Sequence, residues 1–341
     1  MRIRRFHWEA LVLSTALVST AAMAEGEVAG ADPTIEFGGF IRADYGSGDR
    51  YPLDRGEDQL GVSKAALATT VRHEGVTGVF VVGAERLTDG SSNADGDVDI
   101  KDAFIVLGDP EGPGFSWSFG AQALLFGLKP NGYPGDRSLQ PSIEYGGAGA
   151  FAVANQAGPS VIGVYRAGDA FNIRFGAFDL DADNATGFAP ATDGSDLSDN
   201  AFVQIRANDL FGSGLYASAG AESLYVGGAI DDSHHLAAAG VGYRRGPFDI
   251  SVELMRVDAE IVGLPEDERY LVTEASFDLT HRWTAYADWA DARELDASTV
   301  RLGAHYKYSR YVTLSSEYSR DKFGALARDV DSVDVRITFS Y

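Results

Sequence analysis

The sequence predicts an all-β protein, a 16-stranded antiparallel transmembrane β-barrel. Three observations support this prediction: an export signal at the start, segments of about ten residues that alternate between apolar and polar, and connections that are alternately short and long. An even number of such strands, with short turns at one end and long loops at the other, is the signature of an outer-membrane barrel. Such a sheet has to close because lipid offers no hydrogen-bond partner to a free edge.

Composition excludes several other classes. The chain has 341 residues, a net charge of −22, no cysteine, 45% hydrophobic and 11% aromatic residues. The aromatic content excludes a disordered acidic chain, because such chains are poor in aromatic residues. The negative charge argues against a nucleic-acid partner, which needs clustered Lys and Arg. The absence of cysteine excludes disulfides, thiol catalysis and zinc–thiolate sites.

Residues 1–24 have the organisation of a cleavable secretory signal. Three arginines within the first five residues form a positive region, Leu11–Val18 is a short apolar stretch, and Ala22-Met23-Ala24 is an A-x-A cleavage site. The apolar stretch is too short to span a membrane as a helix. We expect cleavage after Ala24, which leaves residues 25–341 as one barrel domain. Losing three arginines and one glutamate takes the net charge from −22 to −24.

Sixteen alternating segments make up most of the mature chain. In the last one, Val335 and Ile337 lie on one face and Asp334 and Arg336 on the other. Side chains of a β-strand alternate between its two faces, so this pattern with a period of two residues predicts a strand. Clusters of Gly, Asp, Asn and Ser between the segments mark turns. In order, we predict strands at residues 34–45, 63–73, 78–87, 98–107, 115–124, 160–167, 170–180, 200–208, 214–224, 235–244, 248–257, 269–280, 283–291, 298–308, 311–320 and 331–341.

The connections place both termini at the short-turn end, which we expect to be periplasmic. The other end carries the long loops, and the longest of these covers residues 125–159. Sixteen strands are enough to enclose an aqueous channel, whereas eight leave only a filled interior.

Each strand has one apolar face, which we assign to lipid, and one polar face, which we assign to a water-filled lumen. Phe248, Ile250, Val252 and Leu254 alternate with Asp249, Ser251 and Glu253. Aromatic residues near strand ends are consistent with interfacial girdles; these are Tyr45, Trp117, Trp283, Trp289, Tyr306, Tyr308, Tyr311, Tyr318 and Tyr341.

Three local features resemble the general porins of the bacterial outer membrane, over essentially the whole mature chain. Lys101–Gly108 resembles the fourth-strand segment R-x-A/S-F/Y-x-G-L, with Val106 where glycine is common. Ile143–Gly147 is similar to the Pro-Glu-Phe-Gly-Gly motif of the third loop. The chain also ends on an aromatic, Tyr341, like the signal read by the barrel-insertion machinery, although the family more often ends in Phe.

The resemblance implies a passive diffusion channel for small hydrophilic solutes and ions, usually a homotrimer, in contact with outer-membrane lipid and lipopolysaccharide. It implies no enzymatic activity and no cofactor or metal. The third loop, here residues 125–159, folds into such barrels and narrows them. The resemblance assigns the constriction to Glu144 and Asp136 on this loop, opposite basic residues of the first strands, Arg42, Lys64 and Arg86.

Further residues are predicted to face the lumen: Arg174, Arg206, Asp102, Glu253, Arg301 and Arg336. Acidic residues on the same faces and the charge of −24 predict cation preference. The alternative is that most acids lie on loops and bind divalent ions or lipid headgroups. The third strand has two possible registers. In the first, Phe80, Val82 and Ala84 face lipid, which puts Glu85 in the lumen and Arg86 outside; in the second, these faces are exchanged.

Two other functions stay open. One is a substrate-selective channel for sugars or small anions, although a phosphate channel would require a denser series of inward Arg and Lys than this sequence suggests. The other is a closed barrel with a surface-binding or enzymatic role; inward glycines such as Gly176 and Gly303 weakly favour an open lumen. The acidic residues 88–99 partly resemble a calcium loop but lack its first Asp and last Glu.

Overall fold

The computed structural model describes residues 33–48, 59–85, 98–123, 128, 157–178, 200–226, 232–258, 267–294, 296–323 and 328–341. They form 16 strands: β1 (Thr34–Gly48), β2 (Gln59–His73), β3 (Val76–Glu85), β4 (Val98–Leu107), β5 (Gly114–Ala123), β6 (Ala157–Ala167), β7 (Phe171–Phe178), β8 (Asn200–Leu210), β9 (Leu215–Val226), β10 (Asp232–Arg245), β11 (Phe248–Asp258), β12 (Asp267–Asp278), β13 (Trp283–Ala292), β14 (Ala297–Lys307), β15 (Val312–Phe323) and β16 (Arg328–Ser340).

Every strand pairs antiparallel with its neighbours in sequence, and β1 pairs with β16, so the sheet is a closed barrel. The predicted fold class and strand number are confirmed. In the part of the chain that the structure describes, no helix is long and apolar enough to cross a membrane.

Several strands are longer than predicted, mostly at their long-loop ends. β2 begins at Gln59 and β16 at Arg328, four and three residues before the predicted starts. In β2, Leu60 and Val62 continue the alternation, so the predicted start at residue 63 was too late. In β16, the apolar alternation used for the prediction stops at Asp331 and Asp329, which are polar residues on the outward face. Backbone pairing does not stop there, because the ladder hydrogen bonds do not depend on side-chain polarity.

The short connections are tight turns. Between β2 and β3, the two-residue turn Glu74-Gly75 has positive φ at both positions, 45° and 78°. This is the backbone of a type I′ turn, whose twist matches that of the strands it joins.

Barrel closure involves the last residue. Tyr341 exchanges backbone hydrogen bonds with Gly39 of β1. A Cβ at Gly39 would overlap the Tyr341 ring and the carbonyl oxygen of Ala66. Glycine at position 39 therefore lets the terminal aromatic lie flat on the outside of the seam.

The two faces of the wall differ sharply in exposure. On β11, outward Phe248 and Leu254 are 57% and 59% exposed, whereas Asp249 and Glu253 are 5% and 6% exposed. The exposed face is apolar and the inward face largely polar, the reverse of a soluble barrel. We call the inward-facing side of the strands the inner wall.

The register of β3 is now fixed. Val81 pairs with Ala68 and Asp102 on the inner wall, while Phe80 lies on the exposed face. Glu85 occupies an inward register position opposite Lys64, so the first of the two alternatives holds.

Candidate functional site: the inner wall of the barrel

The outer surface at the short-turn end carries pairs of aromatic side chains. Trp283 packs on Tyr306 with ring centroids 4.7 Å apart, and Phe248 packs on Phe277 at 4.6 Å. Further pairs at this end are Phe115–Tyr165, Trp117–Phe175 and Tyr311–Phe339. This arrangement has the form of a girdle at one boundary of an apolar band.

The opposite end of the outer surface is charged. Arg256 of β11 makes hydrogen bonds to both carboxylate oxygens of Asp267 on β12, at 2.8 and 3.1 Å. Arg320 of β15 pairs with Asp329 of β16. The apolar band of the outer surface therefore lies between these ion pairs and the short turns.

Three arginines lie close together on the inner wall of β6, β7 and β8. Asn172 of β7 pairs with Arg166 on one side and with Arg206 on the other. Arg174 lies two residues further along β7, opposite Gln204. We call Arg166, Arg174 and Arg206 the basic sector.

Acidic residues dominate the inner wall of the other half of the barrel. On β11 to β16, nine inward register positions are Asp or Glu and four are Arg or Lys. We call the acidic positions the acidic sector: Asp249, Glu253, Glu268, Glu274, Asp278, Asp288, Glu317, Asp321 and Asp334. The inner wall is therefore polarised across the lumen.

Arg301 of β14 compensates part of the acidic sector. Its side chain is fully buried, with Nε 3.7 Å from Asp288 Oδ1 of β13. Removing one partner of such a pair would leave a buried charge uncompensated.

Two tyrosines lie across glycines of the next strand and reach an acid on the strand beyond. Tyr216 of β9 overlies Gly242 and donates a 2.6 Å hydrogen bond to Asp249 of β11. Tyr286 of β13 overlies Gly303 and donates a 2.6 Å hydrogen bond to Glu317 of β15. Gly303 therefore does not itself support an open lumen, because the Tyr286 ring occupies the space beside it.

The space beside Gly176 is also occupied. A Cβ there would lie 3.0 Å from Cε1 of Phe202 and still closer to the carbonyl oxygen of Val161. Phe202 belongs to a small buried apolar cluster with Ile162 and Phe178 on the inner wall.

Leu128 belongs to the 125–159 connection and lies on the far inner wall. Its backbone N–H donates a 2.6 Å hydrogen bond to Glu253 Oε1 on β11. A Cβ at Gly240 of β10 would be 3.0 Å from Leu128 Cδ2. Five residues after the end of β5, the chain is therefore in contact with β10 and β11.

Glu222 of β9 is a buried acid in an apolar part of the inner wall. It is 3% exposed, and its register partners Phe202 and Leu236 are also buried. Among the described residues, neither carboxylate oxygen of Glu222 has a hydrogen-bond partner. A buried polar group in this situation costs stability.

Asp109 is a charged residue of the short turn between β4 and β5. The backbone N–H groups of Glu111 and Gly112 hold the pKa of its carboxyl below the usual range, and Arg166 adds a smaller effect in the same direction. Arg166 therefore lies close enough to this turn to act on Asp109.

The residues predicted for the constriction are only partly described. Asp136, Glu144 and Arg86 lie outside the described residues. Arg42 is half-buried on the inner wall of β1, with Cζ 5.3 Å from the ring centroid of Phe40. Lys64 occupies the register position next to Arg42.

The residues predicted to face the lumen all lie on the inner wall. They are Asp102, Arg174, Arg206, Glu253, Arg301 and Arg336. Sequence reasoning missed Arg166, because both faces of β6 are largely apolar and alternation does not tell them apart. Glu268 was also missed; it lies at the long-loop end of β12, outside the predicted strand.

Among the described residues, no three His, Asp or Glu side chains are grouped so that they could hold a metal ion. His235 is exposed on the outer face of β10. The acidic residues 88–97 lie outside the described residues.

The fold matches solved outer-membrane proteins over nearly their whole length. The anion-selective porin of Comamonas acidovorans is 16% identical, with a TM-score of 0.65 over 91% of this chain and 100% of that one. OmpF of Salmonella typhi, solved with daunomycin, is 11% identical, with a TM-score of 0.67 over 90% and 97%. The trimer form of OmpT, an outer membrane protein of Vibrio cholerae, is 14% identical, with a TM-score of 0.62 over 91% and 99%.

No protein-family model matches the sequence, and no curated protein matches it. At these identities the likeness is one of fold: a closed barrel of the porin type.

Proposed function

We propose that this chain is an outer-membrane porin, a passive diffusion channel for small hydrophilic solutes and ions. The observation that carries the proposal is the inversion of the wall. Apolar side chains are exposed outside, while charged side chains line the interior. An apolar exterior fits lipid, and a charged interior needs water to solvate it. The likeness to solved porins supports the same function.

The aromatic pairs at one end and the ion pairs at the other support a membrane position for the band between them. In this position the short turns face the periplasm, and the ion pairs lie level with the outer lipopolysaccharide headgroups. The signal sequence would export the chain, and the C-terminal strand ending at Tyr341 would engage the insertion machinery. We also propose a homotrimer.

We propose that the 125–159 connection narrows the lumen. Leu128 supports this, since it already contacts the opposite wall at Glu253 and Gly240. Asp136 and Glu144 on this connection would then oppose Arg42 and Lys64. The register of β3, with Glu85 at an inward position, argues against Arg86 as a third basic residue there. Opposed charges across a narrow opening orient polar solutes and set ion preference.

We propose that the channel prefers cations. The support is the excess of carboxylates in the acidic sector, together with the net charge of −22. Rings of Asp and Glu raise the local concentration of cations in a pore.

Single-channel recording in a planar bilayer tests the function. We expect stepwise conductance, in groups of three for a trimer, and a reversal potential in a KCl gradient of the sign for cation preference. Glu144→Gln should reduce that preference. The matched control Glu111→Gln, in the exposed turn between β4 and β5, should leave it unchanged. A refolded protein without conductance would refute the channel.

A further inference from the structure

The short-turn end of the barrel has two sides of opposite charge. The four short turns between β2 and β9 contain five acids and no Lys or Arg; the acids are Glu74, Asp109, Glu111, Asp169 and Asp209. The next three short turns contain Arg245, Arg282 and Arg310 and no Asp or Glu. We call these three the basic turns: residues 245–247, 279–282 and 308–311. The positive charge is concentrated on one side of a chain whose net charge is −22.

Each of the three arginines adjoins an outward aromatic residue of the girdle. The neighbours are Arg245 and Phe248, which are register partners, and the consecutive pairs Arg282–Trp283 and Arg310–Tyr311. The Cζ atom of Arg310 lies 4.4 Å from the centroid of the Tyr311 ring. Aromatic girdles lie at the level of the lipid headgroups, so these arginines lie at the level of the lipid phosphates.

The charges of these arginines are available at the outer rim. Arg245, Arg282 and Arg310 are exposed, and none of them forms an ion pair with a described residue. Asp249 and Asp278, the acids closest in sequence to Arg245 and Arg282, both occupy inward register positions. The outer rim is therefore positively charged on this side of the barrel.

The basic turns are close enough to act together. Successive short turns are two strands apart, which is about 10 Å. The backbone N–H of Lys307 donates a 2.8 Å hydrogen bond to the carbonyl oxygen of Arg282 and so joins the second basic turn to the third. Lys307 is itself exposed and adds a fourth positive charge.

We propose that the basic turns bind anionic phospholipid headgroups, phosphate diesters such as that of phosphatidylglycerol, in the periplasmic leaflet of the outer membrane. The proposal rests on the membrane position proposed above, in which the short turns face the periplasm. A guanidinium group binds two phosphate oxygens at once, and basic residues beside a membrane attract anionic lipid. The four acidic turns repel the same headgroups, so anionic lipid collects on one side of the barrel.

The apolar surroundings of the arginines favour a lipid over a soluble acidic partner. A phospholipid carries its phosphate directly above its acyl chains, which matches an arginine directly beside an outward aromatic ring. The same turns also expose Leu279 and Tyr308, at 57% and 64%. Apolar and aromatic side chains at this level enter the headgroup region of a bilayer.

Two tryptophans of the chain report separately on the two sides of the short-turn end. Residues 25–341 contain three tryptophans, Trp117, Trp283 and Trp289. Trp283 adjoins Arg282 in the second basic turn, whereas Trp117 lies on the outer face of β5, which follows the acidic turn of Asp109. Two double variants each keep one of these reporters: Trp117→Phe with Trp289→Phe, and Trp283→Phe with Trp289→Phe.

Fluorescence quenching by brominated lipids measures which lipid contacts each reporter. The refolded barrel is inserted into phosphatidylcholine vesicles that contain either brominated phosphatidylglycerol or brominated phosphatidylcholine. At Trp283 we expect about fivefold preference for phosphatidylglycerol, and this preference should weaken as NaCl is raised. At Trp117 we expect no preference for phosphatidylglycerol.

Arg282→Gln, in the protein that keeps Trp283, should bring the preference close to one. The matched control is Arg256→Gln, which removes an outward arginine at the opposite end of the outer face and should leave the preference at Trp283 unchanged. If Arg282→Gln fails to refold, the comparison of Trp283 with Trp117 in proteins with unchanged turns still decides.

Equal preferences at Trp283 and Trp117 would overturn the proposal, as would a preference at Trp283 that Arg282→Gln leaves unchanged. Absence of any preference at Trp283 would instead indicate a soluble acidic partner for the basic turns. These outcomes leave the channel function intact, because the measurement requires insertion but not conduction. Absence of quenching at both tryptophans by either brominated lipid would refute the membrane position itself.

Discussion

Gly303→Ala provides a direct test of how the inner wall is packed. The Tyr286 ring lies directly over Gly303, and its hydroxyl donates a 2.6 Å hydrogen bond to Glu317 Oε2. A methyl group at position 303 overlaps this ring, so either the ring is compressed or it moves away from Glu317. Overpacking costs about 1–3 kcal/mol, and losing a hydrogen bond to a charged group costs about 1.5–3 kcal/mol.

We therefore expect Gly303→Ala to lower the free energy of unfolding by about 2–4 kcal/mol. Urea unfolding in lipid–detergent micelles, followed by tryptophan fluorescence, measures it. The matched control is Gly78→Ala on β3, where a Cβ would meet nothing within 4 Å. That change should be neutral or slightly stabilising, because alanine loses less backbone entropy than glycine.

A double-mutant cycle identifies the cause of the effect. With the ring removed by Tyr286→Ala, Gly303→Ala should cost little, which gives a strong coupling energy between the two positions. If Gly303→Ala is as harmless as Gly78→Ala in the wild-type background, the described packing of Tyr286 is wrong.

Three further predictions concern other parts of the wall. Glu222→Leu should raise the free energy of unfolding by about 1–3 kcal/mol, measured by the same urea titration, because it removes two buried oxygens that have no hydrogen-bond partner among the described residues; a loss of stability would show that this carboxyl is needed. Glu253→Ala should raise the single-channel conductance and its noise, because Leu128 loses its anchor on β11, and an unaltered current trace would speak against that anchor. Val252→Arg, on the outer face of β11, should destabilise the barrel by about 2–4 kcal/mol in a bilayer, whereas equal stability of this variant and wild type in the same bilayer would place that face outside lipid.

The sequence predicted the fold well because its main signal is local. Alternation with period two requires no knowledge of neighbours, and each segment separately shows an apolar face and a polar face. Errors arose where this signal fades. β16 extends beyond its apolar alternation, and β6 is largely apolar on both faces, so Arg166 could not be assigned to a face.

The candidate site was less predictable, because it depends on which residues meet across strands. Individual inward residues such as Arg174 and Glu253 could be assigned from alternation alone. The polarity of the whole wall could not, since it depends on the order of all strands around the barrel.

The sequence alone determined the number of strands, the alternation of turns and loops, and which face of most strands is apolar, because these follow from neighbours in the chain. The tertiary structure decided the rest: that Arg166 and Arg206 flank Asn172, that Tyr286 crosses Gly303 to Glu317, and that Leu128 meets Glu253, 125 residues away in sequence. These contacts are set by the register of each strand pair and by closure of the barrel. A shift of one residue in the register of a strand would exchange its inward and outward faces, and these contacts would be lost.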